Sequence, residues 1–154
     1  MTGVQTCALP ISDGSHKGCA AIHFAAVHGH ADAITALKNA GANINAVVTD
    51  GSNKGLAAIH FAAFSGHAAA ITALKNADAT INAVVTDGLC KGYTAIHFAA
   101  RNGNAAVITA LKDSSANVNA VVTDGPYKDL TAVQLAERFN HPEIAELLRE
   151  HGAR

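Results

Sequence analysis

Three histidines stand in nearly identical heptapeptides, and histidine is a frequent catalytic base and metal ligand. AAIHFAA occupies residues 20–26 and returns letter for letter at 57–63, and TAIHFAA follows at 94–100. His23, His60 and His97 are therefore spaced 37 residues apart in matching surroundings. A row of imidazoles could hold a metal ion or transfer protons. Alternatively, each histidine could support one unit of a repeated scaffold.

The spacing disfavours a shared metal site. Equivalent residues of stacked units point the same way and lie roughly 8–10 Å apart, the distance between packed helices. Zinc requires each donor nitrogen at about 2.0–2.1 Å, so a parallel column cannot converge on one ion. The fourth unit carries Gln134 at this position, which suits a hydrogen bond better than a metal. We therefore predict structural histidines and no metal site.

A catalytic pair is also conceivable, because Cys19 and His23 lie four residues apart and could pair on one helix. The other units, however, have Leu56, Tyr93 and Leu130 at the cysteine position, which indicates a contact position. The sequence has no phosphate-binding glycine loop, no HExxH motif and no supported pair of carboxylates. We predict that the chain is not an enzyme, has no catalytic residues and needs no cofactor.

Composition restricts the class of partner. The formal net charge is −1 and aromatic residues make up 5%, with no run of like charges, so we predict neither nucleic-acid nor membrane binding. No apolar run reaches the length needed to span a bilayer. Three cysteines, Cys7, Cys19 and Cys90, argue against a disulfide framework and favour a reducing compartment. We expect a cytoplasmic protein, or one delivered into a host cytosol if it is an effector.

Internal repetition organises most of the chain. Rows of 37 residues begin at Lys17, Lys54, Lys91 and Lys128, and the first two rows agree at 29 of 37 positions. We predict one domain over 12–154, with repeats 17–53, 54–90, 91–127 and 128–154. Residues 1–11, MTGVQTCALPI, have no counterpart in the rows and resemble a translated sequencing adapter. We expect this stretch to be a disordered, non-native N-terminal scar.

The two ends of the repeat array differ in polarity. The last row carries charged residues where internal rows have alanine, threonine or lysine, as in the polar outer face of a terminal unit. These residues are Glu143, Glu146 and Arg149, and Glu150 follows them. The first row has no such set of substitutions, so we expect the end of a longer array, with self-association through the uncapped first repeat and marginal stability.

Each row predicts two short helices and a hairpin. Residues 20–28 have helical spacing of apolar residues and stop at Gly29, and 31–40 form a second helix that ends before Gly41. The Thr-Asp-Gly that comes next is a hairpin signal. Helices of about ten residues do not persist alone in water, so they need stacked neighbours.

The elements GCAAIHFAA at 18–26, GH at 29–30 and GANINA at 41–46 together resemble the ankyrin repeat. The resemblance implies an all-α fold, an α-solenoid of stacked helix-turn-helix repeats with extended β-hairpin loops. It also implies that the histidine column hydrogen-bonds loop backbone, and that His30 and His67 do the same in their turns. The helix-end glycine is replaced by Asp78 and Ser115, where a left-handed backbone costs roughly 1 kcal/mol.

Positions that differ between the repeats indicate where a partner binds. In the resemblance they fall on the hairpin return and the end of the first helix, which line the groove and loop tips. The predicted partner-binding residues are Val27, His28, Ser52, Asn53, Leu56, Phe64, Ser65, Leu89, Cys90, Tyr93, Arg101, Asn102, Pro126 and Tyr127. We predict a non-catalytic module that binds a protein. The alternative is the targeting segment of a truncated larger enzyme or effector.

Overall fold

Short helices alternate with loops throughout the computed structural model, which describes residues 17–154. The predicted scar at 1–11 therefore lies outside the described residues, as do residues 12–16, and this domain boundary stays a prediction. The helices are α1 (Ala21–Val27), α2 (Ala31–Asn39), α3 (Ala58–Ser65), α4 (Ala68–Asn76), α5 (Ala95–Asn102), α6 (Ala105–Asp113), α7 (Ala132–Arg138) and α8 (Pro142–Glu150). The predicted helices 20–28 and 31–40 correspond to α1 and α2.

The helices form two stacked layers. The first helices of the repeats, α1, α3, α5 and α7, contact one another in order, and the second helices α2, α4, α6 and α8 do the same. Each pair also packs within its own repeat. No strand is present in residues 17–154, and the predicted all-α solenoid is confirmed.

Burial of equivalent residues explains why such short helices persist. Ile22, Ile59 and Ile96 in the first helices are each 2% exposed, and Phe61 and Phe98 are fully buried between neighbouring repeats. A helix of seven to nine residues is marginal by itself. The apolar contact with the next repeat therefore supplies most of its stability.

The loops between repeats turn as predicted, but the extended hairpins do not form within residues 17–154. In the first loop the Val48 amide donates to the Leu56 carbonyl at 2.9 Å, and the Gly55 amide donates to the Val48 carbonyl at 2.9 Å. Only isolated bridges occur, pairing Val47 with Ala57 and Val121 with Thr131. Turn residues fill the space between these bonds, so pairing ends after a single bridge.

Exposed ion pairs connect successive loops. Lys17 pairs with Asp50 at 3.2 Å, Lys54 with Asp87 at 2.7 Å and Lys91 with Asp124 at 2.7 Å. These pairs form a solvent-exposed charge ladder along the loops. Exposed pairs of this kind contribute little each, typically about 0–1 kcal/mol.

Asparagine side chains form a second ladder, which the sequence did not predict. Asn45 Oδ1 accepts a hydrogen bond from the Thr80 amide of the next repeat at 2.8 Å. Asn82 Oδ1 accepts from the Asn117 amide at the same distance. Each bond joins a side chain of one repeat to the backbone of the next, and so fixes the stacking register.

The ends of the second helices require a left-handed backbone. Gly41 has φ 83°, and its counterparts Asp78 and Ser115 have φ 65° and 66°. The predicted left-handed positions are therefore confirmed, including the two that glycine does not occupy. A side chain there is strained by roughly 1 kcal/mol.

Candidate functional site

The histidine column, which consists of His23, His60 and His97, makes hydrogen bonds inside the fold. The Ala20 amide donates to Nδ1 of His23 at 2.8 Å, and His23 Nε2 donates to the Ala46 carbonyl at 2.7 Å. His60 repeats the arrangement, with the Ala57 amide on Nδ1 and the Ala83 carbonyl on Nε2. Nδ1 must accept the amide proton, so the ring proton lies on Nε2. Each ring thus caps its own helix and fastens the following loop.

His97 makes the same two bonds, to the Thr94 amide at 2.9 Å and to the Ala120 carbonyl at 2.9 Å. Burial lowers the pKa of His60 and of His97 to about 4, and it lowers the pKa of His23 as well. These rings are neutral at ordinary pH, with both nitrogens occupied. They are therefore unsuited to act as bases or ligands, and the predicted hydrogen bonds to loop backbone are confirmed.

Gln134 makes one of the two hydrogen bonds that histidine makes at this position in the other repeats. Its Oε1 accepts a hydrogen bond from the Thr131 amide at 2.9 Å, as Nδ1 does in the other repeats. The Gln134 amide in turn donates to Thr131 Oγ1 at 3.3 Å, which completes a capping box. An acceptor at this position is therefore a requirement of the helix start.

The turn histidines differ from one another. His67 Nε2 donates to the Val27 carbonyl at 3.0 Å, as predicted. Asn104 replaces it in the next repeat and donates to the Ala63 carbonyl at 3.2 Å. The His30 side chain makes no hydrogen bond within residues 17–154, and its ring centroid lies 5.9 Å from that of His28. The prediction for His30 is wrong because no described repeat precedes it to provide a carbonyl.

The cysteines give no sign of a nucleophile. Cys19 is a free thiol, and burial raises its pKa, which disfavours the thiolate. Both nitrogens of His23 are engaged, so the pair with Cys19 has no base. Cys90 is buried, and the expected reducing compartment stays a prediction. No group of three potential metal ligands occurs in the part of the chain that the structure describes.

Four of the predicted partner-binding residues are buried in the repeat stack. Asn53 is 1% exposed, Leu56 is fully buried, and Cys90 and Tyr93 are each 3% exposed. Tyr93 packs its ring 5.1 Å from Phe98. The expectation that these four lie on an accessible surface is wrong, because the loop return turns inward beneath the next first helix.

The other ten predicted residues have accessible surface. His28, Ser52, Leu89 and Pro126 are exposed, while Val27, Phe64, Ser65, Arg101, Asn102 and Tyr127 are partly exposed. Asn102 also has an internal role, since its Nδ2 donates to the Phe64 carbonyl at 3.0 Å. Their binding of a partner stays a prediction.

Two residues that the sequence comparison missed complete this surface. Arg138 and Phe139 end α7, at the positions of Arg101 and Asn102 one repeat earlier. The Arg138 guanidinium carbon lies 5.4 Å from the centre of the Tyr127 ring. Comparison of all four rows, instead of the three complete ones, could have found them.

Two columns of equivalent positions meet at this surface. The helix-end column consists of Val27, Phe64, Arg101 and Arg138. The loop-return column consists of Asn53, Cys90 and Tyr127. The stacking of Arg138 on Tyr127 shows that the two columns adjoin each other at the last two repeats.

An apolar depression of about 550 Å³ lies on the outer side of α1 and α2, with Ala33, Ala36 and Leu37 in its lining. The equivalent residues of α4, Ala70, Ala73 and Leu74, are at most 9% exposed because the first repeat covers them. This face of the first repeat therefore has the chemistry of a repeat interface.

Comparisons of the chain with known proteins agree with this architecture. A family model described as ankyrin repeats in three copies matches residues 4–85 and 80–154. No curated protein matches the chain. Among the described residues, no helix is long and apolar enough to cross a membrane. Ankyrin repeats are generally protein–protein interaction modules and typically non-catalytic. The repeat register, the histidine bonds and the family match together place the chain in the ankyrin repeat family.

Proposed function

We propose that this chain is a non-catalytic module that binds another protein through the ends of its first helices and the adjoining loops. The observation that carries this proposal is the contact between the helix-end and loop-return columns, where Arg138 lies over Tyr127. Accessible side chains that vary between the repeats thus adjoin one another at the last two repeats. Arginine and aromatic residues are enriched among those that dominate protein interfaces.

The loops add apolar area beside this surface. Leu89 is 43% exposed at a position where the other repeats have Ser52 and Pro126. A single exposed leucine is ordinary, but one next to aromatic and arginine side chains supports a binding surface. Both nitrogens of each buried histidine are engaged, which supports a binding role over a chemical one.

Selection from a displayed library of folded domains against the immobilised chain tests the proposal. We expect Leu89→Glu with Tyr127→Ala to weaken the selected binders by about ten-fold or more. Thr72→Glu with Thr109→Glu is the matched control, because both threonines are exposed on the second helices. These control changes should alter affinity by less than about two-fold. Binders that respond to the threonine pair and ignore the first pair would contradict the proposal.

The alternative, a targeting segment of a larger enzyme or effector, stays a prediction. The reading frame surrounding this chain decides it, since a catalytic domain in the same frame supports the alternative. The cytoplasmic or host-cytosolic localisation also stays a prediction, which imaging of the tagged full-length product can check.

We propose, in addition, that the chain self-associates through the outer face of α1 and α2. The opposite end carries exposed charges at Glu143, Glu146 and Arg149, so the best match for the apolar face is the same face of a second copy. Sedimentation velocity should show a concentration-dependent dimer that Leu37→Lys abolishes. The control Leu89→Lys, on the loop surface, should leave it intact. A monomer at all concentrations would exclude self-association.

A further inference from the structure

We infer that the last two repeats form a binding surface for an acidic segment of a protein partner. This inference rests on the proposed interaction function and specifies the chemistry of the segment recognised. The surface consists of two arginines of the helix-end column, Arg101 and Arg138, and two aromatic residues, Tyr127 and Phe139.

Both guanidinium groups are held by aromatic rings. The Arg101 guanidinium carbon lies 4.9 Å from the centre of the Phe139 ring, and that of Arg138 lies 5.4 Å from the centre of the Tyr127 ring. The Tyr127 and Phe139 rings pack edge to face at 5.6 Å. A guanidinium carries five N–H donors, so one that stacks on a ring and makes a further contact can still bind a carboxylate through its remaining N–H groups.

The two arginines act at neighbouring positions. They occupy the same place in successive repeats, one at the end of α5 and one at the end of α7, and these helices pack together. The distance between packed helices is roughly 8–10 Å, which places the two cation sites within reach of one short peptide.

Nearby carboxylates have other partners. Glu137, the neighbour of Arg138 in sequence, pairs with Arg149. Asp124 pairs with Lys91, which holds the pKa of the Asp124 carboxyl below its usual value. Arg138 forms no ion pair with a carboxylate anywhere in residues 17–154. Its positive charge is therefore available to a partner.

The helix-end column also sets a direction along the stack. Its first two members, Val27 and Phe64, are apolar and partly exposed, whereas its last two are arginines. Four positions at the spacing of packed helices span roughly 24–30 Å. An extended peptide covers about 3.3–3.6 Å per residue, so about seven to nine residues match the column. The fitting segment has apolar residues toward the first repeats and carboxylates toward the last ones.

A nucleic acid is the competing ligand, since bases also stack on aromatic rings and phosphates bind arginine. The lysines Lys17, Lys54 and Lys91 of the loops, however, are paired with aspartates, and the formal net charge of the chain is −1. Nucleic-acid binding relies on several phosphate contacts from a basic surface. Two arginines offer few phosphate contacts to a nucleic acid, but they match two carboxylates of a short acidic peptide.

The test is a selection of random peptides of about nine residues, which is long enough to cover the column. Three baits are used in parallel: the wild type, the Arg101→Gln/Arg138→Gln variant and the Lys75→Gln/Lys112→Gln variant. The lysines are exposed and lie in consecutive repeats on the second helices. Replacing them removes the same charge as replacing the two arginines. Thermal unfolding must show that all three baits are folded.

We expect the wild-type and lysine-variant baits to select peptides enriched in Asp and Glu, and the arginine variant to lose that enrichment. By fluorescence anisotropy, a selected peptide should bind the arginine variant about ten-fold more weakly than the wild type. Replacing the Asp and Glu residues of the peptide by Gln should weaken its binding to the wild type by a similar factor.

Peptides selected without acidic enrichment would overturn this inference and leave the proposed interaction function standing. Tighter binding of a single-stranded oligonucleotide than of the selected peptide would overturn it in favour of nucleic acid. Failure to select any peptide would also overturn it, while the selection of folded domains still judges the interaction function separately.

Discussion

Acid should destabilise this fold through its buried histidines. An ordinary histidine has a pKa near 6.5, whereas burial lowers the pKa of His60 and His97 to about 4. Between these values the unfolded chain binds protons that the folded chain does not bind, so stability falls as the pH falls. The contribution of these neutral histidines to the free energy of unfolding is fully present above about pH 6.5, and it is lost progressively as the pH falls toward about 4.

The two pKa values set the size of the effect. At about pH 5 each of these two histidines lowers the free energy of unfolding by about 2 kcal/mol relative to about pH 8, or about 4 kcal/mol together. His23, whose pKa is also lowered, acts in the same direction. The pKa values of Asp50, Asp87 and Asp124 lie below the ordinary 3.8, so their contribution is still present at that pH. A typical domain is stable by about 5–15 kcal/mol, so the loss is a large fraction of the total.

Urea unfolding of the wild type and His60→Gln, followed by circular dichroism at about pH 8 and about pH 5, measures the effect. Glutamine keeps the acceptor that caps the helix, as Gln134 does for Thr131, but it does not titrate. We expect His60→Gln to lose about 2 kcal/mol less on acidification than the wild type. Ile59→Val is the control, because it should lower stability by about 1 kcal/mol at both pH values. An acid response of His60→Gln equal to that of the wild type would refute the reasoning.

Three further changes test the packing. Tyr93→Ala should cost about 3–5 kcal/mol in urea unfolding, since Tyr93 is buried against Phe98, and a loss below about 1 kcal/mol would contradict that burial. Ser115→Gly should raise stability by up to about 1 kcal/mol by relieving the left-handed backbone, and Gly41→Ala should lower it by a similar amount. Changes in stability of the same sign for these two substitutions would contradict that explanation. Asn82→Ala should cost about 1 kcal/mol through the lost bond between repeats, and an unchanged midpoint would show that this ladder is unimportant.

The repeat architecture could be predicted because several signals agree in each row. Helical spacing of apolar residues, a glycine after the first helix and a recurring histidine reappear every 37 residues. Repetition turns each weak signal into a strong one, since the same local structure must form in every unit. The role of His23, His60 and His97 followed from the same reasoning, together with the fact that Gln134 replaces histidine in the last row.

The candidate site was harder to predict, because variation between repeats does not imply exposure. Leu56 and Tyr93 differ in size and polarity, yet both are buried at the same position of the stack. Conversely, Thr72 and Thr109 are identical and exposed. A buried position can accept different side chains when its neighbours also differ, and only three-dimensional contacts reveal this.

Two other features depended on contacts between elements. The Thr-Asp-Gly turn was correctly predicted, but the length of strand pairing depends on how the loop meets the next helix, and at most one bridge forms in each described loop. The cation–π contacts of Arg101 and Arg138 join residues of different repeats, so no single row contains the signal.

The most direct measurement is long-range ¹H–¹⁵N NMR correlation of the histidine rings, with and without zinc. If the repeated imidazoles serve the fold, then His23, His60 and His97 will show the neutral form protonated at Nε2 at about pH 7, and His60 and His97 will still show it at about pH 5.5. Zinc will leave these three signals unchanged. Rings that become protonated near pH 6.5, that carry the proton on Nδ1 or whose signals shift together when zinc is added would contradict the account.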